Sequence, residues 1–380
     1  MKIVFRTDAS VQIGTGHVMR CLTLADALRK AGASCTFICR AHTGNLLEKI
    51  RQRGHVAIAL IEGKTKTQSK NEVILNHADW LGSDWENDAT ETRQALGRAM
   101  FDWLIVDHYA LDASWEKMLR PYCKRIMVID DLADRAHDCD LLLDQNLGRL
   151  DSDYGLHIPS TVSTLIGPQF ALLRPEFGAL RNYSLNRRRR PQLKHLLICM
   201  GGVDKNNATE EVLDALCKSP LAPDTQIRVV MGMHAPWQDN VRKLASQMPW
   251  NTEVLINVEN MAELLCHCDL AIGASGSSNW ERCCLGIPSL LLVLAENQKS
   301  SAKAIHEAGA AYLLNIENIS ESLASTIEKL TKACTLATMS RVASTLNNGD
   351  GVTRVMTAMQ MQFRIAKSVG NSSLYETRLC

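Results

Sequence analysis

No run of 18 or more apolar residues occurs in this chain, so no hydrophobic membrane-spanning helix is expected. An excess of charge is also missing. Lysine and arginine number 42 against 41 aspartates and glutamates, a net charge of +1. Nothing in that balance draws the chain to nucleic acid or a membrane surface. The opening residues MKIVFRTDAS carry Arg6 and Asp8 where a secretory signal would need a long apolar core, so none is expected. The 13 cysteines form no disulfide framework, being odd in number and scattered. Neither Cys266-His267-Cys268 nor Cys283-Cys284 has the C-x-x-C spacing of a zinc site, and both sit in apolar runs such as AELLCHCDLAI. Reduced, structural thiols in a cytoplasm are the expectation, with no metal and no cofactor. No internal sequence repeat is evident. A full dinucleotide fingerprint is lacking too, since the first loop offers only Gly14-x-Gly16.

What is present is an alternation of short apolar runs and helical patterns. The 380 residues suit two domains. Strands are predicted over Ile3–Phe5, Ala33–Cys39, Val56–Leu60, Trp103–Val106, Arg125–Ile129 and Leu141–Leu143. Helices are predicted over Met19–Lys30, Asn45–Arg53 (closed by Gly54) and Thr90–Ala99. This rhythm predicts a parallel sheet with right-handed crossovers. Three buried strands stop at polar residues: Asp107-His108-Tyr109, Asp130-Asp131 and Asp144-Gln145-Asn146. They point to one shared cleft edge. Asp112 reads as the N-cap of the next helix. Residues 61–88, with Trp80 and Trp85, read as a loop with short helical turns, and Ile158–Pro168 as an irregular connection. The run Arg187-Arg188-Arg189-Arg190-Pro191 reads as a solvated linker and places a domain boundary there. A second strand–helix unit starts at Leu193. Helices are expected over Ile319–Thr331, Thr338–Thr345 and Gly351–Phe363, with weak pattern beyond about Ala366.

The chain is organised around SVQIGTGHVMR, residues 10–20. Gly14 and Gly16 allow a diphosphate to approach the backbone at a helix start, with His17 at the same edge. The second unit repeats this logic. Leu196–Met200 ends in Gly201-Gly202, and Leu270–Ile272 ends in GASGSSNWERCCLGIP. The small residues Ser275, Gly276 and Ser277 let a phosphate approach the chain, and the N–H groups of Gly276, Ser277 and Ser278 lie near a helix start that favours it. Glu281 either accepts hydrogen bonds from the two hydroxyls of a ribose or simply complements the helix start. Val258, in Asn257-Val258-Glu259, is placed to read a base edge, and Asn297 and Gln298 to bind sugar hydroxyls or the diphosphate.

Several of these segments together resemble a known family. They are FR-x-D at Phe5–Asp8, QIG-x-GH at Gln12–His17, Arg20, VD-x-Y at Val106–Tyr109, IDDL at Ile129–Leu132, LDQN at Leu143–Asn146, and GASGS with WERC over Gly273–Cys283. The chain resembles, over about residues 1–310, the UDP-2,4-diacetamido-2,4,6-trideoxy-β-L-altropyranose hydrolases of pseudaminic acid biosynthesis. These are relatives of the N-acetylglucosaminyltransferase that makes lipid II. The resemblance implies a GT-B architecture, two Rossmann-like parallel-sheet domains facing across a cleft. It implies a first domain over 1–180, a UDP-binding domain over 193–345, and a helix over 346–366 crossing back to the first. It implies hydrolysis at the anomeric carbon with inversion, by His17 as the base and Glu281 as the ribose ligand. Asp8, Asp107 or Tyr109 would orient His17 or bind the sugar, with Arg20 in support. A UDP-sugar and water are the expected partners, and a monomer is favoured. A glycosyltransferase, a UDP-sugar 2-epimerase and a non-catalytic nucleotide-sugar module remain the alternatives.

Overall fold

A computed structural model describes residues 1–61 and 77–361. The loop expectation for residues 62–76 and the reading of the tail beyond 361 lie outside the described residues. The first domain runs β1 (Lys2–Thr7), α1 (Gly16–Lys30), β2 (Ser34–Arg40), α2 (Leu47–Gln52), β3 (Val56–Leu60), α3 (Trp85–Leu96), β4 (Trp103–Asp107), α4 (Ala113–Leu119), β5 (Ile126–Ile129), β6 (Leu141–Asp144) and β7 (Ser163–Ile166). After α5 (Pro175–Arg187) come β8 (His195–Cys199), α6 (Ala208–Leu216), β9 (Gln226–Met231), α7 (Gln238–Ala245), β10 (Asn251–Ile256), α8 (Met261–His267) and β11 (Leu270–Ala274). The chain continues through α9 (Ser278–Cys284), β12 (Ser289–Leu292), α10 (Lys299–Glu307), β13 (Ala311–Leu314), α11 (Ile319–Leu330) and α12 (Ala333–Leu346). Among the described residues no helix is long and apolar enough to cross a membrane.

Two fully parallel sheets result, ordered β3-β2-β1-β4-β5-β6-β7 and β10-β9-β8-β11-β12-β13. Each is buried on both faces, as the continuous apolar strands require. In β1, Ile3 and Phe5 point to one core with α1, and Val4 points to the other with Trp115 and Leu119 of α4. In the second sheet Leu196 and Ile198 face one core and Leu197 the other.

Local chemistry explains most element boundaries. The Asp84 side chain accepts from Asn87 N and starts α3 five residues earlier than the pattern suggested. Asp112 caps α4 through Ser114 N and Trp115 N. α1 begins at Gly16, so His17 lies in its first turn and not in the loop before it. β7 occupies part of the stretch read as irregular, and β13 adds an edge strand that the pattern did not reveal.

The arginine run is a solvated linker only in part: Arg189 and Arg190 are exposed, whereas Arg187 and Arg188 are built into the fold. Pro175 opens α5 at a position where its missing N–H costs nothing. The helix then runs through Arg187. Arg188 is buried, and its guanidinium donates to Cys268 O at 2.8 Å and to Leu265 O and Cys266 O at 3.4 Å. These carbonyls close the C-terminal end of α8, where a cation is favoured. Arg187 pairs with Asp269 at 2.6 Å.

Past α12 the chain returns to the first domain. Asn347 Nδ2 donates to Pro168 O at 2.6 Å. Gly351 passes so close to the backbone at 170–171 that a Cβ there would overlap Ala171 O. Residues 351–361 are helical. Val355 and Met359, both fully buried, join the core of Ile3, Phe5 and Leu22. Burying two such side chains contributes roughly 1.5–3 kcal/mol each.

Candidate active site

In each sheet the strand order reverses at the centre, between β1 and β4 and between β8 and β11. Ligands of open α/β sheets bind beyond the carboxyl ends of strands at such a reversal. The loop after β1 leads to His17 and β4 ends at Asp107. β8 leads to Gly201-Gly202, and β11 to Ser275-Gly276-Ser277. The two reversals face each other. A Cβ on Gly16 would lie 3.6 Å from Ser277 Oγ, and one on Gly202 would lie 3.1 Å from Thr15 Oγ1. Gly14 and Gly201 adopt φ of 82° and 89°, a left-handed backbone that glycine tolerates best. The Gly14 turn is held by Gly14 N to Ser10 O at 2.8 Å, and by Ser10 Oγ accepting from Ile13 N at 2.9 Å.

The His17 imidazole is fixed by one carboxylate. Its Nδ1 lies 2.6 Å from Asp107 Oδ1. A carboxylate can only accept there, so Nδ1 carries a proton, and in the neutral ring the lone pair is on Nε2. Asp107 is held in turn by Arg20, whose Nε and Nη2 each donate to one of its oxygens at 2.7 Å. Burial would raise the Asp107 carboxyl, but the charges of Arg20 and His17 outweigh it and hold it well below the usual carboxylate range. Arg20 Nη1 reaches Asp131 at 2.8 Å. The Tyr109 hydroxyl donates to the same Asp131 Oδ2 at 2.7 Å. Burial, then the Asp131 charge, push the Tyr109 phenol well above its ordinary value, so it stays neutral. The Tyr109 ring meets the His17 ring edge to face at 4.6 Å.

Asp8 is placed elsewhere, which corrects its expected role beside His17. It has no exposed surface. Its Oδ1 accepts from Arg6 Nη1 and from Arg40 N, both at 2.6 Å, and its Oδ2 faces His108 Nε2 at 3.3 Å. Burial raises this carboxyl, but Arg6 and His108 together hold it well below the usual range. Arg6 also grips Asp88 through Nε at 3.1 Å and Nη2 at 2.6 Å, and Arg40 Nη2 adds a bond to Asp88 at 2.7 Å. This is a buried charged layer that fixes β1, β2 and α3, and it does not line the cleft.

In the second domain Ser275 Oγ accepts from Asn279 Nδ2 at 2.9 Å, and Arg282 Nη2 donates to Ala274 O at 2.9 Å. These bonds brace the loop of Gly276 and Ser277. Glu281 is recessed in the wall with 21% of its side chain exposed. Burial pushes its carboxyl up to about 7, against the opposing charges of Arg174 and Arg282. Arg174 Nη2 stands 3.9 Å from Glu281 Oε1, and its Nη1 donates to Glu259 O at 3.2 Å. It thereby ties the Val258 loop to Glu281, with Val258 itself packed on the core below. Gln298 is spent locally, its Oε1 accepting from Leu294 N at 2.9 Å. The Asn297 side chain comes near enough to the Tyr109 hydroxyl to oppose the rise of its phenol. Cys266 and Cys268 are buried, and burial pushes the Cys268 thiol up to about 11.

No protein-family model matches the chain. A protein of Campylobacter jejuni subsp. jejuni serotype O:2, named UDP-2,4-diacetamido-2,4,6-trideoxy-beta-L-altropyranose hydrolase, is 26% identical over 310 residues, which are 81% of this chain and 97% of that protein. The resemblance read from the motifs holds. The uncharacterized protein MJ1062 of Methanocaldococcus jannaschii is 27% identical over 303 residues, 79% of this chain but 57% of that protein. The chain therefore spans little more than half of the archaeal relative. Among solved structures, MurG of Acinetobacter baumannii superposes with a TM-score of 0.67 at 14% identity, covering 95% of this chain and 99% of that one. At that identity the likeness speaks for the fold alone. The architecture is GT-B.

Three neighbours of His17 or Glu281 carried no functional reading in the sequence. Arg174 lies in the ALLRPEF exit segment, where nothing marks it. Trp80 and His77 lie in or beside a short 3-10 helix at Ala78–Leu81, in a polar stretch without periodicity. Asp131 was marked only as a strand-end residue, and its place between Arg20 and Tyr109 follows from the fold.

Proposed function

We propose that the chain hydrolyses a UDP-sugar at the anomeric carbon, releasing UDP and the free sugar with inversion. The substrate proposed is UDP-2,4-diacetamido-2,4,6-trideoxy-β-L-altropyranose, in pseudaminic acid biosynthesis. The observation that carries this reading is the Asp107–His17 contact, which puts the proton of the neutral ring on Nδ1 and the lone pair on Nε2, in a helix turn whose Gly16 meets Ser277 of the second domain. His17 Nε2 takes a proton from water. The water oxygen bonds to C1 as the C1–O bond to the diphosphate breaks, and that electron pair leaves on UDP. Such general-base work contributes roughly 10²–10⁴-fold. Backbone N–H groups at Gly16, Gly202 and Ser277 stabilise the charge on UDP, since those of Gly14, Ser275 and Gly276 already bond Ser10 O, Leu292 O and Ala274 O. Glu281 accepts from the ribose hydroxyls, and the Val258 loop meets the uracil edge. The domain division at 1–180 and 193–345, with the return segment 346–366, belongs to this reading.

The test is NMR of that UDP-sugar with the protein in ¹⁸O-water. UDP plus free inverted sugar, labelled at C1, is the expected result. Label on the diphosphate would instead mean attack at phosphorus. A requirement for a second sugar or lipid acceptor would mean a glycosyltransferase, a changed C2 configuration an epimerase, and binding without turnover a carrier module. Any of these four overturns the reading.

A further inference from the structure

The His17 ring is enclosed by more aromatic surface than proton transfer requires. Trp80 lies 6.5 Å from it, centroid to centroid and near perpendicular at 78°. Trp80 also stacks on Tyr109, 5.6 Å away and 27° from parallel. His77 leans on both, at 4.4 Å from Trp80 and 5.3 Å from Tyr109. Burial holds the His77 imidazole below its ordinary value, so it packs there as a neutral ring. Trp80 is only half-buried, and among the described residues its indole Nε1 has no hydrogen-bond partner. Core packing does not account for a large ring left partly open beside the base. A ligand brought to the His17 ring comes close to these rings as well.

We infer that Trp80, backed by His77 and Tyr109, is the wall on which the sugar moiety rests, and that it selects a deoxysugar with N-acyl groups over a fully hydroxylated one. The inference rests on the proposed UDP-sugar reading and deepens it. An indole face gains from methyl and ring C–H groups and gains little from hydroxyls that must shed water. A C6 methyl and acetamido methyls supply that apolar surface. The free indole N–H can donate to an acyl carbonyl. Trp80 would therefore act on sugar recognition and leave the uridine contacts alone, since those lie on the second domain.

The test compares the affinities of UDP and of UDP-2,4-diacetamido-2,4,6-trideoxy-β-L-altropyranose by calorimetry. It is done in a His17→Ala background, which blocks turnover, with and without Trp80→Ala and Trp80→Phe. The expected result is unchanged UDP affinity in all variants. The extra affinity due to the sugar should fall at least tenfold in Trp80→Ala and be largely retained in Trp80→Phe. In NMR, the bound sugar's methyl protons should show upfield ring-current shifts that Trp80→Ala abolishes. Equal sugar affinity with and without the indole overturns the inference, and so does a background protein that binds the sugar nucleotide no better than UDP. Lack of hydrolysis by the native chain would sink the hydrolase reading, but this comparison would still decide the sugar wall.

Discussion

Replacing Asp107 by asparagine removes one charge and keeps the shape of the side chain. Asp107 Oδ1 receives both His17 Nδ1 and Arg20 Nη2, and Oδ2 receives Arg20 Nε. An amide NH₂ in either position opposes an Arg20 donor. With the NH₂ toward His17, the ring must also switch tautomer and put its proton on Nε2, which disables the base. With the oxygen toward His17 the tautomer survives, but the electrostatics do not. Arg20 Nη2 stands 3.4 Å from His17 Nδ1. A unit charge at that distance opposes the imidazolium by roughly 5 kcal/mol at an effective dielectric of about 20. Asp131, still paired with Arg20 at 2.8 Å, offsets part of this. The expected loss in kcat is therefore about 10²–10⁴-fold, or roughly 3–5 kcal/mol of barrier. UDP affinity should be unchanged. The assay is UDP release under single-turnover conditions, with calorimetric UDP binding and a thermal melt to show that the variant is folded. A folded Asp107→Asn protein within about threefold of native kcat refutes the assigned tautomer and the charge argument together.

Further outcomes follow from the second domain and the return helix. Glu281 is protonated below about 7 because burial raises its carboxyl, and a protonated carboxyl accepts poorly from two ribose hydroxyls. UDP affinity should therefore rise about tenfold between pH 6 and pH 8 in the native protein and stay flat in Glu281→Gln. A flat native profile in calorimetry removes the ribose role. Arg174→Ala takes away the nearest opposing charge, so the midpoint of that profile should move to higher pH, and an unmoved midpoint means Arg174 does not act on Glu281. Gly351→Val drives a Cβ into Ala171 O and should lift the return helix off the first core, lowering urea-unfolding stability by about 1–3 kcal/mol. No measurable loss would mean that this crossing has slack.

The architecture was legible wherever the signal is local. Apolar runs that stop at Asp107 and at Asp130 mark buried strands whose ends meet water or a ligand, and Asp112 announces a helix start by residue type alone. Pairings across the fold were not legible. His17 and Asp107 are 90 positions apart, and only the adjacency of β1 and β4 joins them. The resemblance put Asp8 beside His17 or the sugar. Arg6, two positions earlier and so on the same face, together with the Arg40 backbone, turned it inward. The arginine run misled for a similar reason. A row of guanidinium groups reads as solvated until α8 supplies its terminal carbonyls to Arg188, and no local pattern shows that the two will meet. Trp80 carried no signal, because its neighbours have no period and its distant partners are Tyr109, just past β4, and His17 in α1.

The charges around His17 explain why a single histidine suffices here as the base. Asp107 and Asp131 carry two negative charges against the one positive charge of Arg20, and Tyr109 adds none because burial and Asp131 keep its phenol protonated. The cluster therefore holds one unbalanced negative charge before the reaction. The proton that His17 takes from water brings it to neutrality while negative charge develops across the cleft on the departing UDP. Water exclusion strengthens this effect, because most of the cluster is buried and the compensating charges need not reorganise. Arg20 tempers the arrangement. Without it, two carboxylates would share a buried space at the cost of mutual repulsion, and one of them would be driven toward protonation. Its fork holds Asp107 in its charged form and fixes the Asp107 oxygen on which the tautomer of His17 depends.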